Sequence, residues 1–192
     1  DIKKAIDLIA SAGWEDTNGN GTPDKTINGK KEELVLQFKI TNKAEGSAIA
    51  SIIKENAKQA GIEVDIVSEE PTQLQQDIKQ LNFEMAVGRS GTYPTDDDPF
   101  QNWHSKSDRP GGNNFSGYHS ATLDSLIELV RTSTDKMARD EAYKEIQKIL
   151  YEEQPYIWLY VPKERIIASK RLQLITSTRR PGYFEHLLMP AR

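Results

Sequence analysis

Hydrophobic residues recur along this chain with two alternating periods. Ile2, Ala5, Ile9 and Ala12 fall at helical spacing, and Gly13 supplies a stop. A turn-rich segment follows from Trp14 to Lys31. Leu34, Leu36, Phe38 and Ile40 then alternate with Val35, Gln37 and Lys39, the period of a half-buried strand. Asn42 followed by Glu45 spells a capping box for the next helix. The apolar stripe of that helix is Ile49, Ile52, Ile53, Ala57 and Ala60, and Gly61 ends it.

The period returns to two at Ile62, Val64 and Ile66, a second strand. Pro71 suits the first turn of a helix carrying Leu74, Ile78 and Leu81. Phe83, Met85 and Val87 give a third strand. Strand, helix, strand, helix, strand is the order of right-handed crossovers, so the fold class is α/β with a mostly parallel sheet flanked by helices.

After Val87 the pattern breaks. Residues 88 to about 119 show no sustained period and carry Gly88, Gly91, Pro94, Pro99, Pro110, Gly111, Gly112 and Gly117. Loops beyond about 12 to 15 residues are uncommon unless functional or disordered. Tyr93, Phe100, Trp103, Phe115 and Tyr118 argue against disorder here. The loop also leaves the carboxyl end of a parallel strand, where open α/β sheets place their ligands. Its rings either line a pocket for a small ligand or anchor the loop to the core, and spacing does not divide the two.

Two more helices follow, one on Leu123, Leu126, Ile127 and Val130, the next on Ala142, Ile146, Ile149 and Leu150. Tyr156 to Val161 is a continuous apolar run, which reads as a buried strand. Ile166 to Ala168 adds another, and the tail from Leu172 to Arg192 is irregular.

Composition narrows the function classes. Acids outnumber bases by 29 to 25 among 192 residues, a net charge of −4, which argues against nucleic acid as a partner. No apolar run approaches the roughly 20 residues of a membrane span. Cysteine is absent, which removes disulfides, thiolate metal sites and cysteine nucleophiles. Asp1 opens straight into an amphipathic pattern without an initiator Met or a leader, which reads as one piece of a longer chain.

Catalytic and metal motifs fare poorly. Asp16, Asn18, Asn20 and Gly21 match the first half of a calcium loop, with Asp24 at the ninth position, but Ile27 stands where a bidentate Glu is needed. A polar turn explains the same residues. Asp96, Asp97 and Asp98 near His104 resemble a hard-metal cluster, yet Asp98 before Pro99 also fits a helix cap. His104, His119 and His186 form no metalloprotease pair, and Ser90 lies in no nucleophile elbow. Lys163, Arg165, Lys170, Arg171, Arg179 and Arg180 read as a solvated basic face. No residue pattern calls for a cofactor. A hydrolase using Asp96 to Asp98 and a calcium-dependent adhesion or interaction module using Asp16 to Asp24 stand as alternatives to a binding protein.

A resemblance sharpens this. Phe83-Glu84-Met85-Ala86-Val87-Gly88, then Tyr93-Pro94 and Asp98-Pro99-Phe100, resemble the ligand strand and loop of the substrate-binding proteins of ABC importers in the oligopeptide, dipeptide and nickel class, solute-binding family 5. Gly112 to Tyr118, Leu123 to Ile127, Arg139 to Leu150 and Pro155 to Tyr160 resemble its later segments. Ala5 to Trp14 and the turn from Asp16 to Gly29 resemble its earlier ones. The shared order carries the resemblance more than any single motif.

The resemblance implies a two-lobed fold that closes on its ligand, with residues 1–192 forming a single lobe, the second of the pair, and residues 170–192 returning toward the absent lobe. It also implies an exported or lipid-anchored protein, periplasmic or at the cell surface, that passes a peptide or similar solute to a membrane permease and performs no chemistry. The ligand wall would comprise Gly88, Arg89, Ser90, Gly91, Thr92 and Tyr93, joined by Trp103 and Asn114. Peptide binders of the family carry an acidic residue near the end of this strand, where Thr92 stands here, and Arg89 replaces a common aromatic. An arginine there suits a carboxylate, which it holds bidentately.

Overall fold

A computed structural model describes residues 1–88, 98–161, 163, 166–173, 175–177 and 189–190. The described residues form two compact bodies, one of residues 1–88 with Arg109–Gly111, the other of residues 98–108 with residues from 112 onward.

The first body opens with α1, Ile2–Ser11, capped by the Asp1 carboxylate, which accepts from the Lys4 amide at 3.0 Å. β1 (Asp24–Ile27) and β2 (Lys30–Glu33) follow as an antiparallel hairpin that starts inside the segment expected to be turn alone and runs two residues past it. Its two-residue connection is Asn28-Gly29, with φ of +52° and +80°. Both central residues in the left-handed region define the turn whose twist matches paired strands, and Asn-Gly is its preferred sequence.

β3 (Val35–Thr41), α2 (Ala44–Lys58), β4 (Glu63–Glu69), α3 (Pro71–Lys79) and β5 (Met85–Ala86) build the expected crossovers. The sheet is parallel throughout, in the order β4-β3-β5. Pro71 sits in the first turn of α3, where its missing N–H costs nothing. The stripe of α2 is rotated from the expected one. Gly46 and Ala50 are buried, Ile49, Ile53 and Ala57 pack on the core, and Ile52 is 64% exposed. Gly46 explains the rotation, because a Cβ there would stand 2.6 Å from the Thr41 carbonyl oxygen. Only glycine lets α2 approach the end of β3 this closely.

The capping box does not form. Lys43 takes the N-cap position without a side-chain bond. Asn42 instead extends the ladder, its amide donating to the Glu69 carbonyl at 2.9 Å, and its side chain donates to the Glu70 carboxylate. The half-buried reading of β3 also needs correction. Phe38 and Ile40 face Ala50 and Val64 on one side, and Lys39 is buried against α3 on the other. β3 is the central strand, so both faces of its second half are covered.

The second body contains α4 (Phe100–Trp103), a single 3₁₀ turn at Ser105–Ser107, α5 (Ala121–Thr132) and α6 (Lys136–Glu153). Ser120 and Asp135 cap the two long helices through their side chains. Leu123, Ile127 and Val130 of α5 close on Ala142 and Ile146 of α6, the stripes expected from their spacing.

Two expected strands are not formed. Residues 156–161 and 166–168 pair with no strand among the described residues, and in the first run Ile157 to Val161 are exposed rather than buried. A continuous apolar run is buried only where neighbouring strands and covering layers exist to receive it, and the described residues supply none. In the tail, β6 (Leu172–Gln173) and β7 (Met189–Pro190) form a two-rung antiparallel ladder.

Candidate functional site

The carboxyl edge of the parallel sheet is the place such folds reserve for ligands. It is built from the ends of β3, β4 and β5. β5 contributes two rungs, Phe38 to Met85 and Lys39 to Ala86, and the Val87 amide adds a bond to the Lys39 carbonyl at 3.1 Å. The chain then leaves the sheet at Gly88, which is exposed, and among the described residues beyond its neighbours no heavy atom lies within 4 Å of where a Cβ would sit. Of the residues expected to line the ligand wall, Arg89, Ser90, Gly91, Thr92 and Tyr93 lie outside the described residues.

A charged group absent from the sequence reading lies beneath this edge. The Lys39 ammonium contacts the Asp77 carboxylate of α3 and stands 3.5 Å from Glu69 Oε1 at the end of β4. Gln73 donates to the other Asp77 oxygen at 2.8 Å. The hydrogen bond from Lys39 holds the Asp77 carboxyl below its ordinary range, and the reciprocal bond holds the Lys39 ammonium above its own. Glu69 Oε2 is buried without a hydrogen-bond partner. The signal was Asp77 itself, one residue before Ile78 on the apolar stripe of α3.

In the second body, the described part of the aromatic loop is a folded unit with a polar centre. His104, Ser107 and Asn114 are buried. The Lys106 amide donates to His104 Nδ1 at 3.1 Å, which places the ring proton on Nε2, 3.4 Å from Glu128 Oε1. Ser107 Oγ donates to the Phe100 carbonyl at 3.0 Å. Asn114, 1% exposed, donates through Nδ2 to the carbonyls of Tyr118 and His104 and accepts from Ser116 Oγ at 3.0 Å. The Asn114 amide is thus committed to the loop.

Three of the rings are anchors, and Tyr93 lies outside the described residues. Phe100, Trp103 and Tyr118 pack against the α5–α6 core. Trp103 also meets Tyr156 with centroids 4.8 Å apart and Trp158 at 6.4 Å. Burial pushes the Tyr156 hydroxyl up, partly offset by a hydrogen bond with the Phe115 backbone. Arg131 lies 4.3 Å over the Phe100 ring and reaches Asp98 Oδ2 at 3.2 Å. Asp98 Oδ1 accepts from the Phe100 amide at 3.0 Å, but Pro99 rather than the expected Asp98 holds the N-cap position of α4. Asp96 and Asp97 lie outside the described residues, and among the described residues no three acidic, histidine or cysteine side chains gather as a metal site.

The calcium-like turn bonds to itself. The Asp16 carboxylate accepts from the amides of Gly19, Asn20 and Gly21 at 2.8 to 3.1 Å. Asn18 and Asn20 donate through their side chains to Glu33. Asp24 turns away to Thr17 and to Lys31 at 3.1 Å. Burial pushes the Asp24 carboxyl up, but the bonds from Lys31 and Thr17 outweigh it and leave the carboxyl below its usual range. A lysine thus neutralises the charge that a cation would.

A parallel β-α-β-α-β sheet whose third strand ends at the carboxyl edge is the α/β arrangement in which open sheets place their ligand sites. The model for bacterial extracellular solute-binding proteins, family 5 Middle, matches residues 1–112, and the chain belongs to that family. It is 32% identical over 175 residues to the oligopeptide-binding protein AppA of Bacillus subtilis, covering 89% of this chain and 31% of that protein. The structure of AppA in complex with a nonapeptide superposes with a TM-score of 0.71 at 29% identity, over 80% of this chain and 30% of AppA. NikZ from Campylobacter jejuni in complex with Ni(L-His) gives 0.68 at 25% identity, over 81% and 31%. The chain spans about a third of the length of the curated relatives it matches. These relatives are binding proteins.

Proposed function

We propose that this chain is one lobe of an extracytoplasmic receptor that binds a peptide or similar small solute without transforming it. The receptor closes a second lobe over the solute and delivers it to the membrane permease of an ABC importer. The observation that carries this is β5 ending at an open Gly88 on the carboxyl edge of a parallel sheet, in a chain of family 5. AppA, with its nonapeptide, supports peptide as the solute class.

Residues Gly88 to Tyr93 would form one wall, with Arg89 gripping a carboxylate of the solute through two parallel hydrogen bonds. Asn114, its amide bonded within its own loop, would set that loop's shape rather than touch the solute. A solute that touches both lobes favours the closed state by its differential affinity for it.

The test is native mass spectrometry of solute carried by a polypeptide of the relatives' length, followed by calorimetric titration of short peptides and nickel–histidine. Arg89→Ala should weaken binding of a free-carboxylate peptide at least 10-fold and leave its C-terminal amide unaffected. Unchanged affinity for every solute would remove Arg89 from the site, and no binding by any solute would sink the reading.

A further inference from the structure

We infer that Asn28 is a site of spontaneous covalent modification, where the chain's own backbone turns a carboxamide into an isoaspartyl or aspartyl residue. Asn18 and Asn20, which share its local sequence, are held out of the same reaction. This chemistry is independent of solute binding, so it holds whether or not the transport reading does.

The step is intramolecular. The Gly29 amide nitrogen gives its proton to hydroxide and attacks Cγ of Asn28. The new C–N bond closes a five-membered ring, the Cγ–Nδ2 bond breaks, and the departing nitrogen takes a proton from water and leaves as ammonia. Water then opens the ring on either side of the ring nitrogen. Opening at Cγ leaves aspartate. Opening at the backbone carbonyl leaves isoaspartate, whose main chain runs through Cβ and Cγ. Nothing is oxidised or reduced, and water is the reagent consumed.

Attack requires a following residue with no side chain to crowd the ring, an amide free to lose its proton, and a carboxamide free to turn. Of the chain's asparagines, Asn18, Asn20 and Asn28 alone precede glycine. All three are exposed, so exposure does not separate them. Hydrogen bonding does. The attacking amide for Asn18 is that of Gly19, which donates to Asp16 Oδ1 at 2.8 Å; for Asn20 it is that of Gly21, which donates to Asp16 Oδ2 at 2.9 Å. A carboxylate on an N–H opposes loss of its proton, because the amide anion would face a second negative charge. Both carboxamides are tied as well. Each donates to Glu33 Oε1, and their oxygens accept from the Asn20 and Thr22 amides. At the hairpin turn neither the Asn28 carboxamide nor the Gly29 amide has a hydrogen-bond partner among the described residues.

The isoaspartyl product adds one atom to the main chain of a two-residue turn. Turn length sets hairpin register, so the pairing of Ile27 with Lys30 cannot survive unchanged. β2 carries Lys31, which bonds Thr17 and Asp24, and its last residue is Glu33, which holds Asn18 and Asn20. Modification at one exposed turn therefore loosens the whole Asp16 turn.

Timed incubation of the 192-residue chain in mildly alkaline buffer tests this, read by peptide mapping with electron-transfer fragmentation, which separates isoaspartate from aspartate. The same chain unfolded in guanidinium chloride is the reference, in which the three asparagines should react at similar rates. On folding, Asn28 should keep its rate, and Asn18 and Asn20 should slow at least about 10-fold, since each must first open a charge-assisted hydrogen bond. Asn28 reacting no faster than the other two in the folded chain would overturn the assignment. Asp16→Ala should speed Asn18 and Asn20 several-fold and leave Asn28 unchanged, and no acceleration would remove Asp16 as their protector. By hydrogen exchange, β1 and β2 amides should exchange at least 10-fold faster in the isoaspartyl form. Asn28→Asp, which carries the charge without the extra atom, should match the fresh chain. Equal exchange in all three forms would sink the loosening of the turn.

Discussion

Lys39 sits between Phe38 and Ile40 on β3, and all three are buried. Its charge is tolerated because Asp77 and Glu69 converge on it from α3 and β4. The Asp77 carboxyl, held below 3.8, contributes stability that is present above that pH and lost as pH falls through its folded value. The Lys39 ammonium, held above 10.5, contributes stability that is present below that pH and lost as pH rises through its folded value. Urea midpoints should therefore show no loss from this pair between about pH 4 and pH 10. Lys39→Met should reverse the acid limb. The buried Asp77 carboxyl, stripped of the Lys39 bond that holds it low, is left to the burial that raises it, so the variant, less stable at pH 7, should gain stability on mild acidification. A midpoint that falls with acid as in the parent chain would refute the pairing. Asn114→Ala is the second residue-scale test. Removing its buried amide strips partners from the Tyr118 and His104 carbonyls and should cost about 1–3 kcal/mol in urea unfolding.

The element scale separates what could be read from the chain from what could not. β3, α2, β4, α3 and β5 were legible because each carries a clean period over enough residues, and their alternation dictates a parallel sheet. α5 and α6 were legible for the same reason. Ile127→Ala, at the centre of their contact, should cost about 2–5 kcal/mol. Ser120→Ala, which deletes the α5 cap, should cost about 1 kcal/mol. The β1–β2 hairpin was hidden because its strands, Asp-Lys-Thr-Ile and Lys-Lys-Glu-Glu, are too polar to show a period. Only Asn28-Gly29 announced it. Lys39 misled because a lysine in an alternating run reads as solvent-facing unless its partners on other elements are known. Asn42 misled because the capping pattern ignores tertiary competition, here the carbonyl of Glu69 and the carboxylate of Glu70. Of the candidate wall, the strand leading to Gly88 was legible from its period, and the roles of Arg89 to Tyr93 came only from resemblance.

At the scale of the molecule, the governing fact is that the chain covers about a third of its relatives' length. If solute is held between two lobes, ligand-linked stabilisation belongs to the whole receptor. At a solute concentration 100 times Kd, a polypeptide of full length should gain about 2.7 kcal/mol of stability, whereas the 192-residue chain should gain almost none. Parallel thermal melts with a binding peptide check this, and equal shifts would show that one lobe suffices. The knot formed by His104, Ser107 and Asn114 has its own consequence for how such receptors diversify. Side chains bonded to carbonyls a fixed number of residues away tie the loop together by counting. One residue inserted between Ser107 and Asn114 would disturb the two bonds that span it, from the Asn114 side chain to the His104 carbonyl and from the Asn114 backbone amide to the Ser107 carbonyl, whereas substitutions at the exposed Arg109 or Pro110 would break neither. Across the family, this stretch should drift in composition and hold its length.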